Sequence, residues 1–311
     1  MRRRTWITAL LVVVGAAFVV RFGLTFPWAR TLRALANADW LRLAAAAAIN
    51  IVSLAAKGTA WYLMLRRLGP SRHATAQAAT FVGAAVNSLS VSVSGEATRA
   101  HLVSAKDGIS FGKAVASLVT TRIVEALGLV VFLSVALIVL PPWPWARLAG
   151  AGLFVLVGGL AIGYRIAPWD RLRAAAVGRR YEPFVQMVGT SGQSGVIGAV
   201  CLTAASWFAQ WLAYHWAIEA TGVPVTSVAS LATLIVSNIG AIPRLTPGNI
   251  GVLQGSVILV MREFRIPAAN ALAAGLALQA IQVLPILAIS IVIVGARGLR
   301  GLVTAPALAR E

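Results

Sequence analysis

The feature that most constrains this chain is a series of long apolar runs that are nearly free of charge. Six of them cover residues 5–22, 40–65, 113–140, 148–166, 196–219 and 268–295. At about 1.5 Å per residue, each run is long enough as a helix to cross about 30 Å of hydrocarbon. Charged residues make up only 12% of the 311 positions, roughly half of their share in soluble domains. The runs predict an all-α polytopic membrane protein with about six full transmembrane helices.

The loops between the runs predict the orientation of the chain. Basic residues concentrate at 2–4, 66–72, 164–180 and 296–301. The loops at 141–148 and 219–227 carry almost no positive charge, and the arginines at 21–33 are an exception to the pattern. Because basic loops stay in the cytoplasm, both termini are expected there.

Two further apolar stretches, 74–94 and 227–261, are rich in Gly, Ser, Asn or Pro. In the predicted orientation the first begins and ends inside, and the second begins and ends outside. Each is therefore interpreted as a re-entrant hairpin, one opening to each side of the membrane.

The two halves of the chain also align. Residues 108–129 match 265–286 at a constant offset of 157, which pairs Arg122 with Gln279 and Glu125 with Gln282. Upstream, 87–96 corresponds to 238–251. Together with the opposite orientations, this predicts an inverted repeat. Its halves cover about 40–140 and about 196–295, within one transmembrane domain over 1–311 and with no soluble domain.

The segment "IPRLTPGNIG" (242–251) interrupts the second hairpin. Pro243 and Pro247 remove backbone donors, while Gly248 and Gly251 allow tight turning. Irregular backbone at membrane depth must be buried in protein or line a wet cavity. The segment is therefore predicted to form a polar site inside the membrane. The alternative is an ordinary kinked helix pair that uses Pro and Gly for packing.

Charged residues within the apolar runs are the candidate binding groups. Glu96 and Arg99 lie three residues apart, as do Arg122 and Glu125. Such residues are costly at membrane depth and usually face a cavity or a partner. The two pairs are either structural ion pairs or a site in which the arginines hold a phosphate. Lys57 either snorkels or pairs with Glu125, and the sequence does not choose between them.

Several other functions are not supported by the sequence. The net charge of +18 arises from arginines in short loops, which favours contact with anionic lipid over nucleic acid. No P-loop, nucleotide fingerprint or catalytic triad is found. His215 and Glu219 are interpreted as an interfacial pair, since two groups make no metal site. We therefore predict no enzymatic activity, no cofactor and no metal.

The motifs "SGEATR" (94–99), "TRIVEALGL" (121–129) and "TPGNIGVLQ" (246–254) resemble those of the lysylphosphatidylglycerol synthase transmembrane region, a flippase-like integral membrane family. The resemblance covers roughly residues 5–300 but includes no synthase domain. The residues that match the family's motifs are Gly95, Glu96, Arg99, Arg122, Pro247, Gly248 and Gly251. The departures are Glu125 for Asp, Asn249 for Gly, Gln254 for Glu and Gln279 for Arg. The two glutamines are expected to replace an ion pair with a neutral amide pair.

The resemblance implies a protein that binds and flips a phosphate-bearing lipid or lipid-linked precursor across the bacterial inner membrane. Its lipid would be an anionic phospholipid, an aminoacyl-phospholipid or a polyprenyl-phosphate-linked precursor. The substrate-binding residues expected from the motifs are Glu96, Arg99, Arg122, Glu125, Pro247, Gly248, Asn249, Gly251, Gln254 and Gln279. One alternative is a non-transporting accessory or anchor subunit of a lipid-linked glycosyltransferase or synthase. The other is an ion-coupled carrier of small solutes.

Overall fold

The computed structural model describes residues 27–90, 94–139, 193–243 and 246–296, together with scattered positions between 148 and 162. Helices and a single 3₁₀ turn make up the regular structure of this described part. The helices are α1 (Trp28–Ala36), α2 (Trp40–Leu65), α3 (His73–Leu89), α4 (Ser94–Asp107), α5 (Phe111–Val139), α6 (Gln193–Ala220), α7 (Ser227–Gly240), α8 (Val252–Glu263) and α9 (Ala268–Ala296). The 3₁₀ turn, Pro247–Asn249, lies between α7 and α8.

Four of the described helices, α2, α5, α6 and α9, are long and apolar enough to cross a membrane. They correspond to the predicted spans 40–65, 113–140, 196–219 and 268–295. The predicted span at 5–22 lies outside the described residues, and the one at 148–166 is described only at scattered helical positions. The protein is an all-helical, multi-pass membrane protein.

Helices α2 and α6 form an antiparallel pair at the centre of the fold. At one end the Asp39 amide donates to the Ala220 carbonyl over 2.8 Å, and at the other end Gly195 lies against the Arg67 guanidinium. Midway, the Ser53 hydroxyl donates to the Ser206 carbonyl over 2.9 Å. Small residues at such contacts let helix backbones approach closely.

Helices α3 and α4 pack against each other as a short pair. Gly83 and Gly95 lie at the contact, where a methyl group on Gly83 would come within 2.8 Å of the Gly95 carbonyl oxygen. At the base of the pair, Asp107 bonds to the side chain of Arg72 over 3.0 Å. The helices have 17 and 14 residues, or about 26 and 21 Å. Both are shorter than the hydrocarbon core of a bilayer.

Helices α7 and α8 form a second short pair, of 14 and 12 residues. This pair follows the end of α6, whereas the first pair follows the end of α2. Because α2 and α6 are antiparallel, the bases of the two pairs lie at opposite ends of the bundle. Between these bases, Gly248 of the 3₁₀ turn packs against the Ser88 carbonyl near the end of α3.

Helix α1 occupies part of the basic stretch at 21–33 that the loop pattern left unexplained. It lies against the start of α9, where the Thr31 hydroxyl donates to the Ala269 carbonyl over 3.0 Å. Trp28 and Leu32 are exposed. An exposed apolar face beside Arg30 and Arg33 is typical of a helix at the membrane surface.

Candidate functional site

Four charged side chains from α4 and α5 form one connected cluster. Arg99 donates to Glu96 over 3.1 Å, and Arg122 donates to Glu125 over 2.7 Å. These are the two pairs predicted from the three-residue spacing. Arg122 also bonds to Glu96 and so joins the two helices. The Arg122 side chain remains 53% exposed, whereas those of Glu96, Arg99 and Glu125 are at most 19% exposed. Arg122 is therefore the member of the cluster with a free face.

Arg99 also contacts an aromatic ring of helix α2. Its guanidinium lies 4.3 Å from the centroid of the Trp61 ring, a cation–π arrangement. Trp61 is fully buried and donates to the Ser117 hydroxyl over 2.9 Å. This packing fixes the position of the Arg99 side chain within the helix bundle.

Lys57 contacts helix α6 rather than Glu125. Its amine lies 3.4 Å from the Gln210 Oε1 atom and 4.8 Å from the centroid of the Trp207 ring. The Trp207 indole in turn donates to the Glu125 carbonyl over 3.2 Å. Lys57 is thus fixed beside the charged cluster without an ion pair to it.

The break between α7 and α8 lies where the sequence predicts it, and it uses left-handed backbone. The φ angles of Gly248, Asn249 and Gly251 are 57°, 54° and 86°. Glycine adopts this conformation without steric cost, and asparagine is among the other residues that tolerate it. At Gly248 a methyl group would also come within 2.7 Å of the Ser88 carbonyl oxygen. Only glycine lets the 3₁₀ turn approach the end of α3 this closely.

The side chains of Gln254 and Gln279 both bond to the backbone of this turn. The Gln254 Oε1 atom accepts from the Gly251 amide over 2.7 Å and caps the start of α8. The Gln279 Nε2 atom donates to the Gly248 carbonyl over 3.0 Å and ties the turn to α9. The two amides therefore bond to the turn rather than to each other, in contrast to the expected amide pair.

A polar cavity of about 590 Å³ lies where the 3₁₀ turn, the end of α3 and the long helices meet. Its lining residues are Asn50, Ser53, Leu54, Lys57, Asn87, Ser88, Ser90, Arg122, Gln210, Asn238, Ala241, Ile242, Thr246, Gly248, Asn249, Gln279, Gln282, Val283 and Ile286. This described lining contains two basic side chains and seven carboxamides but no carboxylate. An anion with additional hydrogen-bonding groups fits this chemistry.

Of the ten predicted site residues, Arg122, Gly248, Asn249 and Gln279 line the cavity. Glu96 and Glu125 hold Arg122 from behind, and Gln254 caps the helix after the turn. Arg99, Pro247 and Gly251 lie in the elements that shape the site. The roles of all ten in binding remain predictions.

The sequence prediction missed most of the polar lining. The polar lining residues outside the ten predicted site residues are Asn50, Ser53, Asn87, Ser88, Ser90, Gln210, Asn238, Thr246 and Gln282. The sequence did contain a signal for Asn87 and Asn238, because the repeat alignment pairs the two segments that begin at these residues. Polar side chains within apolar helices are a second signal, since they usually face a cavity or a partner.

His215 and Glu219 form the predicted pair, with 3.5 Å between Nε2 and Oε1. The His215 Nδ1 atom also lies 3.1 Å from the Ser230 hydroxyl. Within the described residues, no group of three His, Cys, Asp or Glu side chains is arranged to hold a metal ion.

Comparison with protein families matches residues 6–290 to the family described as "Lysylphosphatidylglycerol synthase TM region". A search of curated proteins finds no match. The matched range includes the charged cluster, the segment 242–251 and every described residue that lines the cavity.

Proposed function

The chain belongs to the family of lysylphosphatidylglycerol synthase transmembrane regions, and from this premise we propose that it moves a phosphate-bearing lipid between the leaflets of the bacterial inner membrane. One observation carries the proposal: a polar cavity of about 590 Å³, with Lys57 and Arg122 in its lining, lies among helices of membrane-spanning length. Arginine donors match the geometry of phosphate oxygens, and lysine adds a compact positive charge.

The depth of the basic residues supports this proposal. Arg122 lies 11 residues after the start of α5 at Phe111, or about 17 Å along the helix. Lys57 lies eight residues before the end of α2 at Leu65, or about 12 Å. Charged groups within a span are costly and mark pathways for substrates or ions. A lipid headgroup that crosses the bilayer needs such groups at this depth.

The short helix pairs would act as re-entrant hairpins that enter from opposite faces of the membrane. Their lengths and the opposite positions of their bases support this arrangement. The contact of Gly248 with Ser88 brings the 3₁₀ turn and the end of α3 together at the cavity, as an inverted repeat would. The cavity could then open to one face when one hairpin moves and to the other face when its counterpart moves.

The rival functions predicted from the sequence receive less support. Ion coupling would use Glu96 and Glu125, but both carboxylates are bonded to arginine. An accessory subunit would not need a polar cavity within the membrane. We propose binding and transport without covalent chemistry.

Leaflet exchange in proteoliposomes tests the proposal. The purified full chain is reconstituted with fluorescent anionic, zwitterionic, aminoacylated or polyprenyl-phosphate lipids, and exchange is followed by quenching of the outer leaflet. We expect at least one phosphate-bearing lipid to exchange faster than in protein-free vesicles. Lys57→Gln and Arg122→Gln should each reduce that rate about tenfold or more, because each removes a charge-assisted contact.

Lys113→Gln and Arg262→Gln are the matched controls, since both residues are exposed and lie outside the cavity lining. Arg122→Lys keeps a positive charge next to Glu96 and Glu125. It should therefore fold even if the loss of that charge causes Arg122→Gln to misfold. Exchange that is unchanged in folded Lys57→Gln and Arg122→Gln would refute the site. The absence of exchange for every lipid, with a co-purifying synthase, would favour the accessory subunit.

A further inference from the structure

We propose that the cavity recognises a headgroup in which phosphate is joined to an uncharged, hydroxyl-rich group such as a polyol or a sugar. This inference rests on the proposed function and names the class of lipid for the same site. It sets such lipids apart from aminoacylated lipids, which carry an amine.

The orientation of three carboxamides supports the hydroxyl-rich group. The side-chain nitrogens of Asn50, Asn238 and Gln279 donate to the carbonyls of Ile281, Leu234 and Gly248 over 3.3, 2.8 and 3.0 Å. A backbone carbonyl can only accept, so its amide partner must turn its nitrogen toward it. The nitrogen then keeps one further N–H, and the carbonyl oxygen of each side chain is left to accept. Three cavity residues thus offer neutral acceptors, which suit hydroxyl donors.

Gln279 gives independent evidence that one of these acceptors lacks its ligand. Its Oε1 atom is buried and has no hydrogen-bond partner among the described residues. Buried polar atoms are nearly always paired, and leaving one unpaired is costly. This oxygen would gain a partner if a small movement of the side chain brought it to a ligand hydroxyl group.

The charges of the cavity argue against an amine. Lys57 and Arg122 are in the lining, and the described lining contains no carboxylate. The nearest acids, Glu96 and Glu125, are bonded to arginine. An ammonium group would meet like charge without a free counter-ion, whereas a hydroxyl group would not be repelled.

Donors for the anion lie beside these acceptors. Lys57 can only donate, so the oxygen of Gln210 faces its amine at 3.4 Å. The Gln210 nitrogen is left to donate, together with Lys57 and Arg122, to phosphate oxygens. Cavities of about 300–1,000 Å³ hold drug-sized ligands, so the observed volume has room for more than a phosphate alone.

A binding series on the purified full chain tests this inference. The probes are dioctanoyl phosphatidic acid, which presents phosphate alone, dioctanoyl phosphatidylinositol, which adds hydroxyl groups, and lysyl-phosphatidylglycerol, which adds amines. We expect the inositol lipid to bind at least about tenfold more tightly than phosphatidic acid, and the lysyl lipid to bind more weakly than the inositol lipid.

Asn238→Leu should reduce the preference for the inositol lipid to about threefold or less. Asn238 is suited to this test because its nitrogen bonds within its own helix, so its loss leaves contacts between helices in place. Asn270→Leu makes the same replacement on α9 outside the cavity lining and should keep the preference. Lys57→Gln should weaken the binding of phosphatidic acid and of the inositol lipid by similar factors.

The outcomes separate the two proposals. Equal affinity for the inositol lipid and phosphatidic acid would overturn this inference and leave phosphate binding intact. Tighter binding of the lysyl lipid would overturn it as well. If none of the three probes binds, the proposed function fails, and this inference fails with it.

Discussion

At the scale of single residues, Gly248 is the position where two independent constraints coincide. Its φ angle is 57°, and a methyl group would lie 2.7 Å from the Ser88 carbonyl oxygen. A left-handed conformation alone costs other residues about 1–2 kcal/mol. We expect Gly248→Ala to lower the free energy of unfolding by about 2 kcal/mol or more and to reduce lipid exchange. The thermal midpoint in detergent, followed by tryptophan fluorescence, checks the first effect.

Gly255→Ala is the matched control for this change. Gly255 lies in α8, and a methyl group there would meet nothing within 4 Å. Alanine is a better helix former than glycine by about 1 kcal/mol, so this variant should be as stable as the parent or more so. A Gly248→Ala protein that unfolds at the parent's midpoint would show that the close contact between the 3₁₀ turn and the end of α3 is dispensable.

Spacing along the chain predicted only part of the charged cluster. A three-residue interval brings Arg99 to Glu96, and Glu125 to Arg122, because side chains at that interval share a helix face. The bond from Arg122 to Glu96 spans 26 positions and depends on how α4 packs on α5. The stacking of Arg99 on Trp61 likewise depends on the packing of α4 against α2. Periodicity within one helix carries no information about such contacts.

At the scale of elements, Asp107 closes the base of the α3–α4 pair. Its carboxylate accepts from the Arg72 amide and side chain, both over 3.0 Å, and from the hydroxyls of Thr75 and Ser71. The side chain is 1% exposed. Burial opposes ionisation, but the bonds from Arg72, Thr75 and Ser71 outweigh it and hold the pKa of Asp107 below its usual range. The charged form is therefore the one that stabilises the pair.

The sign of the pH dependence follows from this lowered pKa. The stabilisation is fully present above the unfolded pKa of about 3.9 and is lost as the pH falls through the lower folded value. We expect Asp107→Asn to lower the free energy of unfolding at pH 7 by about 1–3 kcal/mol. The difference from the parent should shrink below about pH 4. Thermal midpoints between pH 3 and pH 8 measure it.

Glu263→Gln is the control for this loss of charge, because Glu263 is exposed at the end of α8. It should have little effect at any pH. Equal midpoints for Asp107→Asn and the parent at pH 7 would mean that the base of the pair is held by apolar packing alone.

The long helices were the most predictable elements. Apolar runs of more than 20 residues have few alternatives to a helix in a membrane, and the predicted span at 40–65 coincides with α2. Helix α1 was not predicted, because it is nine residues long and depends on its contact with α9. Local composition identifies an element only when the membrane, rather than a neighbouring helix, determines its conformation.

At the scale of the whole molecule, the cavity follows from the arrangement of the two halves. Arg122 and Gln279, which the sequence alignment pairs, line the same cavity from α5 and α9. Their chemistry differs, because one carries a charge and the other is a neutral amide. Both basic residues of the described lining, Lys57 and Arg122, belong to the first half. This asymmetry supports a headgroup with distinct charged and uncharged parts.

The topology of the whole molecule can be tested by labelling at the two hairpin bases. Ser110 precedes α5 and Ala268 begins α9, and both are exposed. Each is changed to cysteine in a Cys201→Ala background, because the native Cys201 is itself exposed. With basic loops in the cytoplasm, an impermeant maleimide should label Ser110→Cys only in inverted vesicles and Ala268→Cys only in spheroplasts. The Cys201→Ala parent should remain unlabelled in both preparations. Labelling of both positions from the same side would rule out hairpins that enter from opposite faces.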